Sequence, residues 1–302
     1  MTVTTLEKIP GQAPAPMQPG EPTRRAQRRQ LLRRLKNYPA LAMGAVLLLF
    51  MIVACMLYPL IANLDPYSTD TDVMLLGPSG THLMGTDNVG RDVTSRVLIG
   101  GQVSLTVGFA VAIISGASGF VAGLYAAYYP RVGYVIMRIC DGLMAFPAIL
   151  FGIVLMGAFG QSIQNVILAL SVVFFPYVAR VVRSSAMTVK GEQFVEVLVN
   201  MGASSTRILW GNIARNVISP WLIQVTFIFA DAILVEAAMS FIGAGIPAPT
   251  PSWGNMLYDA RNYLYQAGWM LAFPGAALAI TVLGINLFGD GLREWLDPKG
   301  RR

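Results

Sequence analysis

Histidine, cysteine and charge are all scarce in this sequence, and each scarcity removes a class of function. With one histidine, His82, and two cysteines, Cys55 and Cys140, no cluster of metal-ligand spacing can be built, so no metal site is expected. Cys55 falls in the outer half of one apolar stretch and Cys140 near the inner end of another, which disfavours a disulfide between them. No nucleophile elbow, paired catalytic carboxylates or phosphate-cradling P-loop occurs, so the sequence offers neither catalytic residues nor a cofactor site of its own. Only 13 % of the 302 residues are charged, against roughly 25 % in a soluble domain, while 55 % are hydrophobic. One soluble core cannot hide that excess; a lipid bilayer can.

The charges that exist come in blocks. No Asp, Glu, Lys or Arg occurs from Asn37 to Leu64, Val97 to Pro130, Gly142 to Ala179 or Asn262 to Gly289, and a bilayer span needs about 20 such residues. The spans read as Ala40–Leu60, Ser104–Tyr128, Tyr134–Met156, Asn165–Ser184, Val217–Phe241 and Trp269–Phe288. Period-2 alternation of the barrel kind is absent, so the expected fold class is an all-α membrane protein with six transmembrane helices.

The segment to Pro22 is rich in Pro, Gly and Gln and reads as a disordered tail. Arg24, Arg25, Arg28, Arg29, Arg33, Arg34 and Lys36 follow, directly before the first span, and such basic residues hold that end in the cytoplasm. The apolar span behind the run sets aside a nucleic-acid partner. Alternating from there puts Arg131, Lys190, Arg207, Arg215, Arg293, Lys299, Arg301 and Arg302 inside, and only Arg91, Arg96 and Arg261 outside. Both termini are therefore expected in the cytoplasm. The organisation expected is a tail over 1–38, a first span with its outer loop over 39–103, a five-helix core over 104–291 and a second tail over 292–302.

Three features ask for more than lipid solvation. Ser115, Gly119, Gly123 and Ala127 recur every four residues and make a small-residue face for close helix packing, against this chain or a partner. Asp141, Asp231 and Glu236 sit in or beside apolar runs, where a charge is costly. Arg138, one turn before Asp141, is its expected partner. Asp231 and Glu236 have no neighbouring cation in sequence and project at about 140° to each other, so they are candidates for a translocation pathway or a partner helix. Finally, the loop Ser185–Asn216 is too long for a simple connection. Phe194, Leu198 and Met201 line one side of a short helix and Glu192, Glu196 and Asn200 the other. Gly202 stops it, and Ser204 or Ser205 caps a second short helix through Trp210.

These residues resemble the integral-membrane permeases of binding-protein-dependent ABC importers, most closely the second permease of peptide and nickel importers. Glu196-Val197-Leu198 and Gly202-Ala203 are similar to the family's cytosolic coupling motif, with Ile213-Ala214-Arg215 near its distal element. Gly85-Thr86-Asp87-Asn88-Val89-Gly90-Arg91-Asp92, with Ser95-Arg96 and Ser104-Leu105, resembles the family's outer-loop signature. EAAMSFIGAG from Glu236, Ser252-Trp253-Gly254 and GDGLREWLDP from Gly289 complete the likeness, in family order.

The resemblance implies the ABC type I permease fold in a bacterial inner membrane. It also implies a homologous second permease, two ATP-binding subunits that hold ATP and Mg, and an extracytoplasmic solute-binding protein. The loop residues Glu192 to Ala203 would couple to the ATPase. The segment holding Gly85, Asp87, Gly90, Arg91, Asp92 and Arg96 would meet the binding protein or form an outer gate. An ion-gradient-driven secondary transporter is the competing class, and it would have no use for a glycine-punctuated cytosolic loop.

Overall fold

The computed structural model describes residues 38–62 and 64–296, and among these the only β pairing is an isolated bridge between Thr86 and Asp92. The expected tails therefore lie outside the described residues, apart from Tyr38 and the stretch up to Leu296. Helix α1, Pro39–Ile52, has proline at its start, where the missing N–H is no loss. It runs on through a π-turn, Val53–Leu57, and a short helical piece, Tyr58–Ala62. Helix α2, Val93–Tyr128, has 36 residues and is about 54 Å long at 1.5 Å per residue. Then come α3 (Pro130–Met144), α4 (Ala148–Phe159), α5 (Ile163–Lys190) and α6 (Gln193–Asn200). The chain closes with α7 (Ala214–Ile242), α8 (Trp253–Ala260) and α9 (Trp269–Leu296).

Five helices are long and apolar enough to cross a membrane, or six if the bent pair α3 and α4 makes one span. That pair corrects the expected continuous span Tyr134–Met156: its two arms meet at 91°. The cause is Pro147, which lacks an N–H for the helix ladder and pushes Phe146 away from helical geometry; Pro147 itself has ψ 135°. Two other limits also move. Helix α2 runs unbroken across residue 103, where a domain boundary was expected, and the described residues belong to a single unit. The loop expected over Ser185–Asn216 is shorter, because α5 continues to Lys190 and a π-helical stretch, Arg207–Ile213, leads straight into α7. The second short helix is therefore the first turns of the fifth span.

The small-residue stripe finds its partner within the chain. A Cβ on Gly119 would lie 2.6 Å from Val178 Cβ, and one on Gly123 2.7 Å from the Ala179 carbonyl oxygen, so α2 and α5 approach nearly backbone to backbone. Ser115 and Ala127 on the same face are buried. The same glycine-rich side of α2 also receives α7, with Gly108 against Ile233 and Phe229 and Gly116 against Val225. A second close pair, unforeseen from the sequence, joins α1 to α9. There Gly44 meets the backbone of Gly284 and Phe288, and Gly291 meets Leu41.

Candidate functional site

The loop of residues 191–206 lies at the end of the bundle where α2 and α5 finish. Lys190 Nζ donates to the carbonyls of Tyr128 at 2.9 Å and Ala127 at 3.3 Å, so the last cation of α5 satisfies the unpaired carbonyl end of α2. Helix α6 follows and ends in a Schellman turn. Gly202 sits at φ 75°, its N–H bonds to Val199 O, and the Ala203 N–H bonds to Leu198 O, each at 3.0 Å. The helix stop expected at Gly202 is thus present, as a left-handed turn. Ser204 Oγ accepts from the Arg207 N–H at 3.4 Å, which caps the next helix as anticipated.

One face of α6 is anchored to its own chain. Val195 is buried, and Leu198 and Ala203 pack against the cluster that includes Ile208 and Leu209. This corrects the expectation that Leu198 shares the free apolar side with Phe194 and Met201. Phe194 at 43 %, Val197 at 53 % and Met201 at 78 % exposure share a side at spacing i, i+3 and i+7, while Val199, at 54 %, is exposed on another side. Glu192 and Glu196 are exposed as well.

At the opposite end, the segment Gly85–Arg96 folds into a tight knot. Gly85 and Gly90 have φ of 77° and 78°, and a side chain on Gly90 would run into the backbone of Asp70. Asp92 caps α2 by accepting from the Ser95 N–H at 2.7 Å, and it holds His82 Nδ1 at 3.1 Å. Asp87 Oδ1 accepts from the N–H groups of Val89 and Arg91, both at 2.9 Å, and Asp87 Oδ2 pairs with Arg91 Nε at 2.6 Å. Arg96 reaches Asp87 at 3.7 Å and Asp259 on α8 at 3.8 Å, and Arg91 also reaches Asp259 at 3.7 Å. Burial pushes the Asp259 carboxyl above the usual carboxylate range, although Arg96 and Arg91 pull it back. Asp87 and Arg96 are only 4 % and 3 % exposed, so they work first as internal structure.

The pathway candidates separate as their angle implies. Asp231 is exposed on α7, whereas Glu236 is fully buried and accepts from Ser240 Oγ at 2.8 Å and Ser104 Oγ at 3.1 Å. Ser104 in turn accepts from the Trp253 N–H at 3.3 Å, and Trp253 Nε1 donates to Val97 O at 2.9 Å. Glu236 is therefore a knot between α2, α7 and α8, not a pathway-lining group in this conformation. Asp141 is corrected too: its partner is Arg180 of α5, at 2.5 Å, while Arg138 lies over the Tyr134 ring at 5.3 Å. Both cysteines are free and buried, and no group of three metal-ligating residues comes together among the described residues.

A bundle of apolar spans with a polar knot at one end and an ordered, partly uncovered loop at the other defines a polytopic membrane protein. The family described as the inner-membrane component of binding-protein-dependent transport systems matches residues 119–302. A putative peptide transport system permease protein of Brucella abortus is 44 % identical over 267 residues, covering 88 % of this chain and 90 % of that one. The dipeptide transport system permease protein of Alkalihalophilus pseudofirmus is 37 % identical over 272 residues, 90 % of each chain. A glutathione transport system permease protein of Escherichia coli is 38 % identical over 271 residues, 88 % of this chain and 89 % of that one. An inward-facing structure of a methionine ABC transporter superposes with a TM-score of 0.51 at 20 % identity, covering 64 % of this chain and 94 % of that one, and so shares the fold. The chain belongs to the family of binding-protein-dependent inner-membrane transport components; it is a multi-pass permease subunit of an ABC importer, and it works with other subunits of that transporter.

Proposed function

We propose that this permease carries di- or oligopeptides, pairs with a homologous second permease, and is driven by two ATP-binding subunits that hold the ATP and Mg. The loop end faces the cytoplasm together with both termini, in line with the charge asymmetry, and the Gly85–Arg96 knot faces outward toward a solute-binding protein. The observation that carries the coupling role is the construction of α6: Val195 and Leu198 fix it to this chain, while Phe194, Val197 and Met201 stay uncovered. A cytosolic partner that covered them would remove large side chains from water at roughly 1.5–3 kcal/mol each when fully buried. Helix α6 then transmits the partner's closure to α2 through Lys190 and to α5 directly, and the spans switch access as rigid bodies.

The selectivity expected of this chain follows its relatives, which are named for peptide, dipeptide and glutathione transport. The deciding experiment is uptake of dialanine into proteoliposomes that hold the whole complex and its binding protein. Uptake should require hydrolysable ATP inside and persist when proton and sodium gradients are collapsed. Uptake that follows an ion gradient without ATP would replace this reading with a secondary transporter.

A further inference from the structure

Between α3 and α5 a cavity of about 710 Å³ opens, lined by Asp141, Arg180, Arg183, Ser184 and Met187 among others. Its depth follows from helix geometry. Arg180 lies ten residues before Lys190, and Asp141 eleven after Pro130, so the pair sits about 15 Å inside the loop end of both helices. The Asp141 and Arg180 side chains are 50 % and 44 % exposed there. A half-exposed ion pair on a spanning helix does not face hydrocarbon; it faces water, the headgroup region or another subunit.

The charges do not cancel. Asp141 is paired with Arg180, whereas Arg183, one turn further along α5, makes no ion pair among the described residues, and its buried Nε has no hydrogen-bond partner. The cavity thus offers one excess cation, one carboxylate only half covered, the hydroxyls of Ser184 and Thr188, and thioether surface from Met187 and Met137. Such a set is complementary in charge to a zwitterion. Its volume lies within the ~300–1,000 Å³ of small-molecule sites. The ends of an extended dipeptide, about 7 Å apart, fit within it.

We infer that this cavity is a transient binding site for zwitterionic peptide on its way to the cytoplasm, with Arg183 receiving the terminal carboxylate and Asp141 the terminal ammonium. The inference rests on the peptide reading above. Arg180 is then the positioning residue that holds Asp141 toward the cavity. The guanidinium at Arg183 suits a carboxylate because its planar fork donates two parallel hydrogen bonds.

The test is thiol protection in the assembled complex, held in lipid nanodiscs without its solute-binding protein. A Ser184→Cys variant places a thiol in the cavity wall, while Cys55 and Cys140 are buried. Dialanine at about twice its dissociation constant should slow maleimide labelling about threefold by simple occupancy. Dialanine amide and N-acetyl-dialanine should protect much less. Added to Ser184→Cys, Arg183→Gln should abolish protection, and Arg183→Lys should keep part of it, which controls for assembly. No protection by dialanine, equal protection by the amide, or full protection in Arg183→Gln would overturn the site. Absence of dialanine uptake by the wild-type complex would instead count against the peptide reading itself.

Discussion

Asp87 and Asp259 face the same two guanidiniums, yet they should respond differently to neutralisation. Asp87 takes two backbone N–H bonds and a 2.6 Å contact from Arg91 while almost fully buried. Asp87→Asn leaves Arg91 and Arg96 short of a buried partner, a loss of about 3–5 kcal/mol for a broken internal pair. The half-unfolding temperature of the purified complex should fall markedly. Asp259 makes only contacts of 3.7 and 3.8 Å, and burial raises its pKa. The sign follows: its contribution is complete below the unfolded-state pKa and is lost as pH rises through the folded one, so ionised Asp259 opposes folding at neutral pH. Asp259→Asn should therefore hold or slightly raise the neutral-pH transition and flatten its dependence on acid pH. Equal effects of the two substitutions would contradict this division.

Residues also mark where sequence reasoning stops. Gly202 was legible because a glycine after an amphipathic run is a helix stop with few alternatives, and it adopts the left-handed turn. Glu236 was visible as a buried acid, but its partners Ser104 and Ser240 were not, since small hydroxyls carry no signal of what they will meet 132 residues away. The Arg138–Asp141 pairing failed for a similar reason. Local spacing made it available, but Arg138 took the Tyr134 ring and the tertiary neighbour Arg180 won.

At the scale of elements, the α2–α5 seam was legible from its four-residue period, and the α1–α9 seam was not, because Gly44 and Gly284 belong to opposite ends of the chain. The broken third span could have been read from Phe146-Pro147, yet apolar length alone made one continuous span fit. Two element-level outcomes follow. Gly123→Leu drives a side chain into Ala179 and Val182 of α5, an overpacking cost of about 1–3 kcal/mol or more, since the blocking atoms include backbone. Thermal stability should drop, and Gly123→Ala should cost less. Gly202→Ala meets no atom within 4 Å, so its cost is the left-handed backbone alone, about 1 kcal/mol. It should mildly weaken recovery of the ATP-binding subunits without affecting insertion, whereas Gly202→Val should weaken it more. Unaltered recovery in both would mean the turn does not set the loop's geometry.

For the whole molecule, α2 is, with the continuous helix Arg207–Ile242, one of two 36-residue connections along the bundle: Asp92 caps it beside the knot and Lys190 satisfies its other terminus. With α5 zipped to its flank, a push at α6 has a stiff path across the bilayer. Orientation is checked by labelling intact cells with a membrane-impermeant thiol reagent: Ser79→Cys should react and Ser204→Cys should not, and equal reaction would sink the six-span topology. The most direct test of the coupling claim uses Val197, which is 53 % exposed on α6. Val197→Asp places a charge on the uncovered face without touching the anchoring residues Val195 and Leu198. The account predicts a permease that inserts normally and keeps its thermal transition, but fails to retain the ATP-binding subunits on purification and loses ATP-driven dialanine uptake. Retention of those subunits together with wild-type uptake in Val197→Asp would contradict it.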